Sequence, residues 1–261
     1  RFYPASHVAS HIVVFTDTSS EGIAGMEMKY NDLLKAVEGS KKVIKDVDGN
    51  IIKEMGLVTA PREGQDLMLS IDLTVQYITY KHLVQAVQYH HAQAGSAIVI
   101  KTETGEILSM VNYPTFNPNN RKNIQFEALR NRVVTDIFEP GSVIKPFTIA
   151  KLLMSTDLTI DSKMDTSPGY IKVGHHTIRD IKNYGVLSLS QILSKSSNVG
   201  TAKLSLMLDK YALINWFDDL GFGQKVTNQI LGEKKGILPL AKRSSNANIA
   251  ALSYGYGLST T

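Results

Sequence analysis

Phe138-Glu139-Pro140-Gly141-Ser142-Val143-Ile144-Lys145-Pro146-Phe147-Thr148 places a serine three residues before a lysine. On a helix, positions i and i+3 share a face, so the Lys145 amine can reach the Ser142 hydroxyl and take its proton. Pro140 and Gly141 break the chain just before, which predicts that Ser142 opens a helix. There the free N–H groups and the positive end of the dipole favour a developing oxyanion. A serine hydroxyl is a weak nucleophile until a neighbouring base activates it. The same residues have a plainer reading, a capped helix start with Lys145 in solvent. Roughly one chance Ser-x-x-Lys is expected in a chain of this length, so the motif needs context.

Context comes from Lys195-Ser196-Ser197-Asn198-Val199-Gly200, a Ser-x-Asn ahead of an apolar, helix-like run over residues 199–208. Read alone, Ser196 and Asn198 could equally cap that helix. Ser-x-x-Lys, Ser-Asp-Asn and Lys-Thr-Gly together form the motif set of penicillin-binding proteins and class A β-lactamases.

With both motifs in place the chain resembles the class B penicillin-binding proteins, and among them the septal peptidoglycan D,D-transpeptidases of bacterial division. The matching stretches run along nearly the whole chain. They include Arg1-Phe2-Tyr3-Pro4 with Ala9 and His11, Gly22 to Glu27, Leu69-Ser70-Ile71-Asp72, Gly95 to Val99, and Thr104 to Leu108. Tyr113 to Asn119, Arg130-Asn131-Arg132, Glu139-Pro140-Gly141-Ser142, Lys195 to Gly200 and Tyr254-Gly255-Tyr256-Gly257-Leu258 complete them. The departure is the third motif. No Lys-Thr-Gly occurs, and Lys101-Thr102-Glu103 is no substitute, being too early and lacking the glycine. In the family that motif follows the Tyr-Gly-Tyr-Gly segment, so the resemblance implies a chain cut short at both ends.

The fold it implies is α+β: a helical subdomain with an antiparallel sheet whose later strands lie outside these residues. Residues 1–64 would be the end of a non-catalytic pedestal domain and 65–261 the first part of the transpeptidase domain. Without the later strands the hairpin would keep an open edge and an exposed apolar face, which predicts an unstable or inactive fragment.

The resemblance assigns Ser142 as nucleophile, Lys145 as general base, its amine neutralised by burial or a nearby cation, Ser196 as proton relay and Asn198 as the residue holding substrate and lysine. Tyr254 and Tyr256 would line the cleft; their other reading is core aromatics beside flexible glycines. Glu139 reads as a salt-bridge residue outside the site. The implied partners are peptidoglycan stem peptides, β-lactam antibiotics and membrane proteins of the division machinery. The implied place is the periplasmic side of the inner membrane, anchored by a helix preceding Arg1. No cofactor is expected. Two alternatives differ in class: a penicillin-fold sensor or division scaffold without catalysis, and a serine β-lactamase. The second would need a water-activating glutamate, and no such pattern stands out beyond Ser142.

Composition agrees with a globular protein: 261 residues, 43% apolar and 20% charged, with a net charge of +4. The basic residues are not clustered, which argues against a nucleic-acid binder. There are no cysteines, hence no disulfides or thiolate sites. Seven histidines show no metal spacing. Asp46, Asp48 and Asn50 hint at a calcium loop, but the glycine is misplaced and Leu57 stands where the last ligand should be.

Local signals give the elements. Asp48-Gly49-Asn50 predicts a hairpin turn and residues 67–71 a strand. From Asp72, its cap, a helix should bury Val75, Ile78, Leu83, Ala86 and Val87. Strands over 96–100 and 106–111 flank Thr104-Gly105. Residues 120–261 read as helices and loops, with helices over 144–154, 190–195, 199–208 and 211–220.

Overall fold

A computed structural model describes residues 1–227 and 229–261. Two compact units emerge. The first is Arg1–Thr135 with Gln229–Gly232, and the second takes the rest of the described chain from Asp136 to Thr261. Both mix helices with antiparallel strand pairs, so the α+β expectation holds. The units divide at 135/136. The boundary near residue 64 follows a different line, the pedestal and catalytic parts of the resemblance.

The first unit begins with short helices α1 (Ser10–Val13), α2 (Gly25–Lys29) and α3 (Asn31–Leu34). Strands β1 (Ser40–Lys45) and β2 (Ile51–Thr59) then form the predicted hairpin. Its turn is built by Asp46, whose Oδ1 accepts the N–H groups of Asp48 and Asn50 at 3.0 and 2.8 Å, and by Gly49 at φ +87°. Helix α4 (Leu73–Tyr89) starts at Asp72, whose Oδ1 accepts from Thr74 and Val75 at 2.8 and 2.9 Å. It packs on the hairpin of β3 (Gly95–Ile100) and β4 (Ile107–Tyr113). Helices α5 (Phe126–Leu129) and α6 (Arg132–Thr135) close the unit.

The buried side of α4 is rotated from the expected one. Ile78 and Ala86 are exposed, and Gln76 and Val87 are its buried residues. The reason is polar. Gln76 Nε2 donates to the carbonyls of Val8 and Met110, and its Oε1 accepts from the Met110 N–H, so a fully satisfied amide takes the inner position. Residues 67–71 form no strand, against expectation. Ser70 Oγ donates to the Ile107 carbonyl and the Asp72 N–H to that of Leu108, which fastens the segment without a ladder. Leu69 and Ile71 still pack on Ile12, Met110 and Val134, so the apolar run reported burial rather than pairing. In β3, Ile98 and Ile100 remain 42% and 49% exposed.

In the second unit a 3-10 turn over Gly141–Ile144 runs into α7 (Lys145–Ser155). Four short strands follow: β5 (Lys163–Asp165), β6 (Tyr170–Val173), β7 (His176–Arg179) and β8 (Val186–Ser188). β5 pairs with β8, and β6 with β7 as a hairpin. Helices α8 (Leu189–Ser194), α9 (Asn198–Ser205), α10 (Ala212–Asp219) and α11 (Asn246–Ser253) complete it. The helix-and-loop reading of this region missed the strands and α11. Strands of three or four residues carrying charges show no usable alternation. α11 buries Ile249, Ala250, Leu252 and Ser253 together, so it has no single apolar stripe. Ala202 of α9 and Ala250 of α11 are both fully buried, small side chains that let the two helices approach closely. Among the described residues no helix is long and apolar enough to cross a membrane.

Candidate active site

Ser142 sits on the 3-10 turn that leads into α7, exposed to solvent. The turn depends on two glycines. Gly141 lies at φ +60°, in the left-handed region. Gly255 packs so closely behind it that a Cβ there would stand 1.9 Å from the Gly141 carbonyl oxygen. The Gly141 N–H donates to the Gly255 carbonyl at 3.1 Å. Glu139 Oε1 accepts the Gly257 N–H at 2.8 Å. Glu139, read from sequence as a salt-bridge residue, instead ties the Tyr254–Gly257 stretch to the nucleophile turn.

Lys145, one turn on, is 1% exposed. Its ammonium has three protons, and all three are placed. Nζ donates to the Ser196 carbonyl at 2.6 Å, to Ser196 Oγ at 2.9 Å and to Asn198 Oδ1 at 2.8 Å. The spacing argument put Lys145 against Ser142; these bonds aim the amine at the Ser-x-Asn motif. Burial lowers its pKa to about 8, with the Asp180 carboxylate acting in the opposite direction. The cause is therefore desolvation, and the nearby charge is an anion rather than the cation allowed for from sequence.

Ser196 and Asn198 are delivered by the junction of α8 and α9. The Ser196 N–H bonds the Leu193 carbonyl and the Ser197 N–H that of Ile192, the paired closure of a Schellman motif. Ser196 holds the left-handed position at φ +54° that glycine usually takes. A serine there costs about 1–3 kcal/mol of backbone strain, and its hydroxyl contacts Lys145. Ser197, not Ser196 or Asn198, caps α9, accepting the Gly200 N–H at 2.9 Å. Asn198 is the first residue of α9, and its Nδ2 donates to the Arg179 carbonyl at 3.2 Å. Gly200 keeps the helices close: a Cβ there would meet the Ile192 side chain at 2.8 Å.

Ser142, Ser196 and Asn198 share one cleft of about 310 Å³ with Arg179, Asp180, Ile181, Tyr184 and Lys195. Three of the four predicted catalytic residues line it, and Lys145 lies beneath them. Tyr254 and Tyr256 do not line this cleft. Tyr254 packs on the cluster of Val173, Ile178, Ala202 and Ala250, its ring 5.6 Å from that of Tyr256. Tyr256 is half exposed. Asp180 was missed from sequence. No spacing links it to Asn198, because only the β6–β7 hairpin brings it there. Among the described residues no cluster of His, Asp or Glu has the make-up of a metal site.

Residues 95–261 match the family described as the penicillin binding protein transpeptidase domain. The chain is 37% identical over 261 residues to peptidoglycan D,D-transpeptidase FtsI of Escherichia coli (strain K12), covering 100% of this chain and 44% of that protein. It is 36% identical over 258 residues to the probable peptidoglycan D,D-transpeptidase PbpC of Pseudomonas aeruginosa, covering 99% and 46%. The apo structure of the TP domain from Burkholderia pseudomallei penicillin-binding protein 3 superposes with a TM-score of 0.66 at 38% identity, covering 74% of this chain and 54% of that one. The chain thus spans less than half the length of these curated relatives. On the family match, on identity over its whole length and on the geometry of its cleft, this chain belongs to the penicillin-binding protein transpeptidase family.

Proposed function

We propose that the protein is a peptidoglycan D,D-transpeptidase that works through an acyl-enzyme on Ser142. The observation that carries the proposal is the buried amine of Lys145, bonded to Ser196 and Asn198 beneath a cleft that also presents Ser142. Ser142 Oγ attacks the carbonyl between the two D-alanines of a stem peptide, and an ester forms as the C–N bond to the terminal D-alanine breaks. Lys145, as the free amine, takes the serine proton. The 2.9 Å contact from Nζ to Ser196 Oγ offers a path for that proton to the departing amine. Asn198 holds Lys145 and the substrate amide. The Ser142 N–H serves as one oxyanion donor. An amine of a neighbouring stem then attacks the ester, forms the cross-link and frees Ser142.

β-Lactams would acylate the same oxygen. Work at the division septum, a place on the periplasmic face of the cell envelope and docking to division proteins are parts of this reading supported by the likeness to FtsI. Residues 1–64 would belong to the pedestal and 65–261 to the catalytic domain. Tyr254 and Tyr256 would serve a substrate that extends past the cleft. The test is incubation of the intact protein with a stem peptide ending in D-alanyl-D-alanine and an amine acceptor. The expected result is release of one D-alanine with transfer to the amine, abolished by Ser142→Ala. Release by hydrolysis alone, or transfer surviving in Ser142→Ala, contradicts it.

A further inference from the structure

The Asp180 carboxylate has no part in the scheme above, yet it borders the cleft and is held from two sides. Ser197 Oγ donates to Oδ2 at 2.6 Å, and the Val199 N–H donates to Oδ1 at 3.0 Å. These two donors stand on either side of Asn198 in the chain. The adjoining Arg179 carbonyl accepts from Asn198 Nδ2. An amide tethered through its nitrogen turns its oxygen to Lys145; reversed, it would set N–H groups against an ammonium. The end of β7 therefore grips the first turn of α9 by side chain and by backbone.

Asp180 is itself fixed. Its N–H donates to the Gly169 carbonyl at 2.9 Å. Gly169 lies at φ +90°, and a Cβ there would stand 3.0 Å from the Asn183 backbone, so this turn has little room to shift. Bonds from neutral donors to an ionised carboxylate are among the stronger hydrogen bonds in proteins.

Resting on the transpeptidase reading, we propose that Asp180 is a positioning residue of this site: by holding Ser197 and Val199 it fixes the start of α9, and with it Asn198 and the Lys145 amine beside Ser196. It acts through these groups and does not touch the reacting atoms. Its charge also favours the ammonium form of Lys145 against the effect of burial. Ser196 and Asn198, the other groups around the amine, are neutral. The remaining titratable groups on the cleft are Arg179, Tyr184 and Lys195.

The test is the rate of penicillin acylation of the intact protein on both sides of the Lys145 midpoint. It compares wild type, Asp180→Asn, Ser197→Ala and the double variant, with thermal unfolding of each. Each single variant should acylate about 10- to 100-fold more slowly, as expected for losing a hydrogen bond to a charged group. The double variant should be slowed by less than the product of the two single effects, because the Ser197–Asp180 bond is common to both, while the Gly200 cap belongs to Ser197 alone and the Val199 contact to Asp180 alone. Asp180→Asn should also move the pH midpoint down. A folded Asp180→Asn with wild-type rate and midpoint overturns the proposal and leaves the Ser142 chemistry standing. Should that variant not fold, Asp180→Glu decides, because it keeps the charge and the Ser197 cap of α9 while displacing the carboxylate from Ser197 and Val199: slowed acylation supports the proposal and an unchanged rate overturns it. A wild-type protein that does not acylate overturns the underlying reading as well.

Discussion

A lysine amine in water keeps its proton to about pH 10.4, whereas burial beneath Ser196 and Asn198 lowers the pKa of Lys145 to about 8. Below that value the ammonium dominates, and an ammonium cannot accept the Ser142 proton. Acylation by penicillin should therefore fall about tenfold per pH unit below the midpoint and level off above it. A stopped-flow pH profile checks this, and a flat profile through pH 8 would reject Lys145 as the base. Stability has its own sign. Between about pH 8 and the unfolded lysine's pKa the unfolded chain binds the extra proton, so the folded state gains stability as pH rises through that window. Lys145→Ala should lower the acylation rate by about 10²- to 10⁴-fold, the usual range for removing a general base. Quenched-flow mass measurement reads that rate. Loss below tenfold would move the base role to another group.

At the scale of elements, the nucleophile turn is held by the close contact of Gly255 with Gly141 together with the Glu139 carboxylate on the Gly257 N–H. Gly255→Ala would drive a methyl into the Gly141 carbonyl and add left-handed strain at φ +93°. It should cost more than about 3 kcal/mol, or displace Ser142 and abolish acylation. Gly257→Ala is the control, because φ +77° is equally left-handed but its Cβ meets open space. It should cost only about 1 kcal/mol. Chemical denaturation of the pair measures the difference, and equal losses would contradict the packing argument. In the first unit, Asp72→Ala removes the one carboxylate oxygen that accepts two N–H groups at the start of α4 and should cost about 1 kcal/mol. The acylation rate per folded molecule should not change, because Asp72 and Ser142 belong to different units.

For the whole molecule, the sequence was most legible where local chemistry decides the outcome. Asp72 at the helix start, Asp48-Gly49-Asn50 in its turn and the hairpin around Thr104-Gly105 needed only their neighbours. Ser142, Lys145, Ser196 and Asn198 were legible as motifs, and three of them meet in the cleft with Lys145 beneath. What escaped depends on distant segments. The face that α4 buries was set by the polar pairing of Gln76 with Met110. Residues 67–71 satisfied an apolar pattern without pairing. Asp180 and Glu139 act through backbone groups of Val199 and Gly257, which no spacing rule connects to them. The role proposed for Ser142 makes it the acylated residue. Intact mass spectrometry of the whole protein after penicillin treatment, followed by peptide mapping, reads this out. One drug mass is expected on the peptide carrying Ser142 and none in Ser142→Ala; an adduct on another residue, or one that survives Ser142→Ala, would rule Ser142 out as the nucleophile.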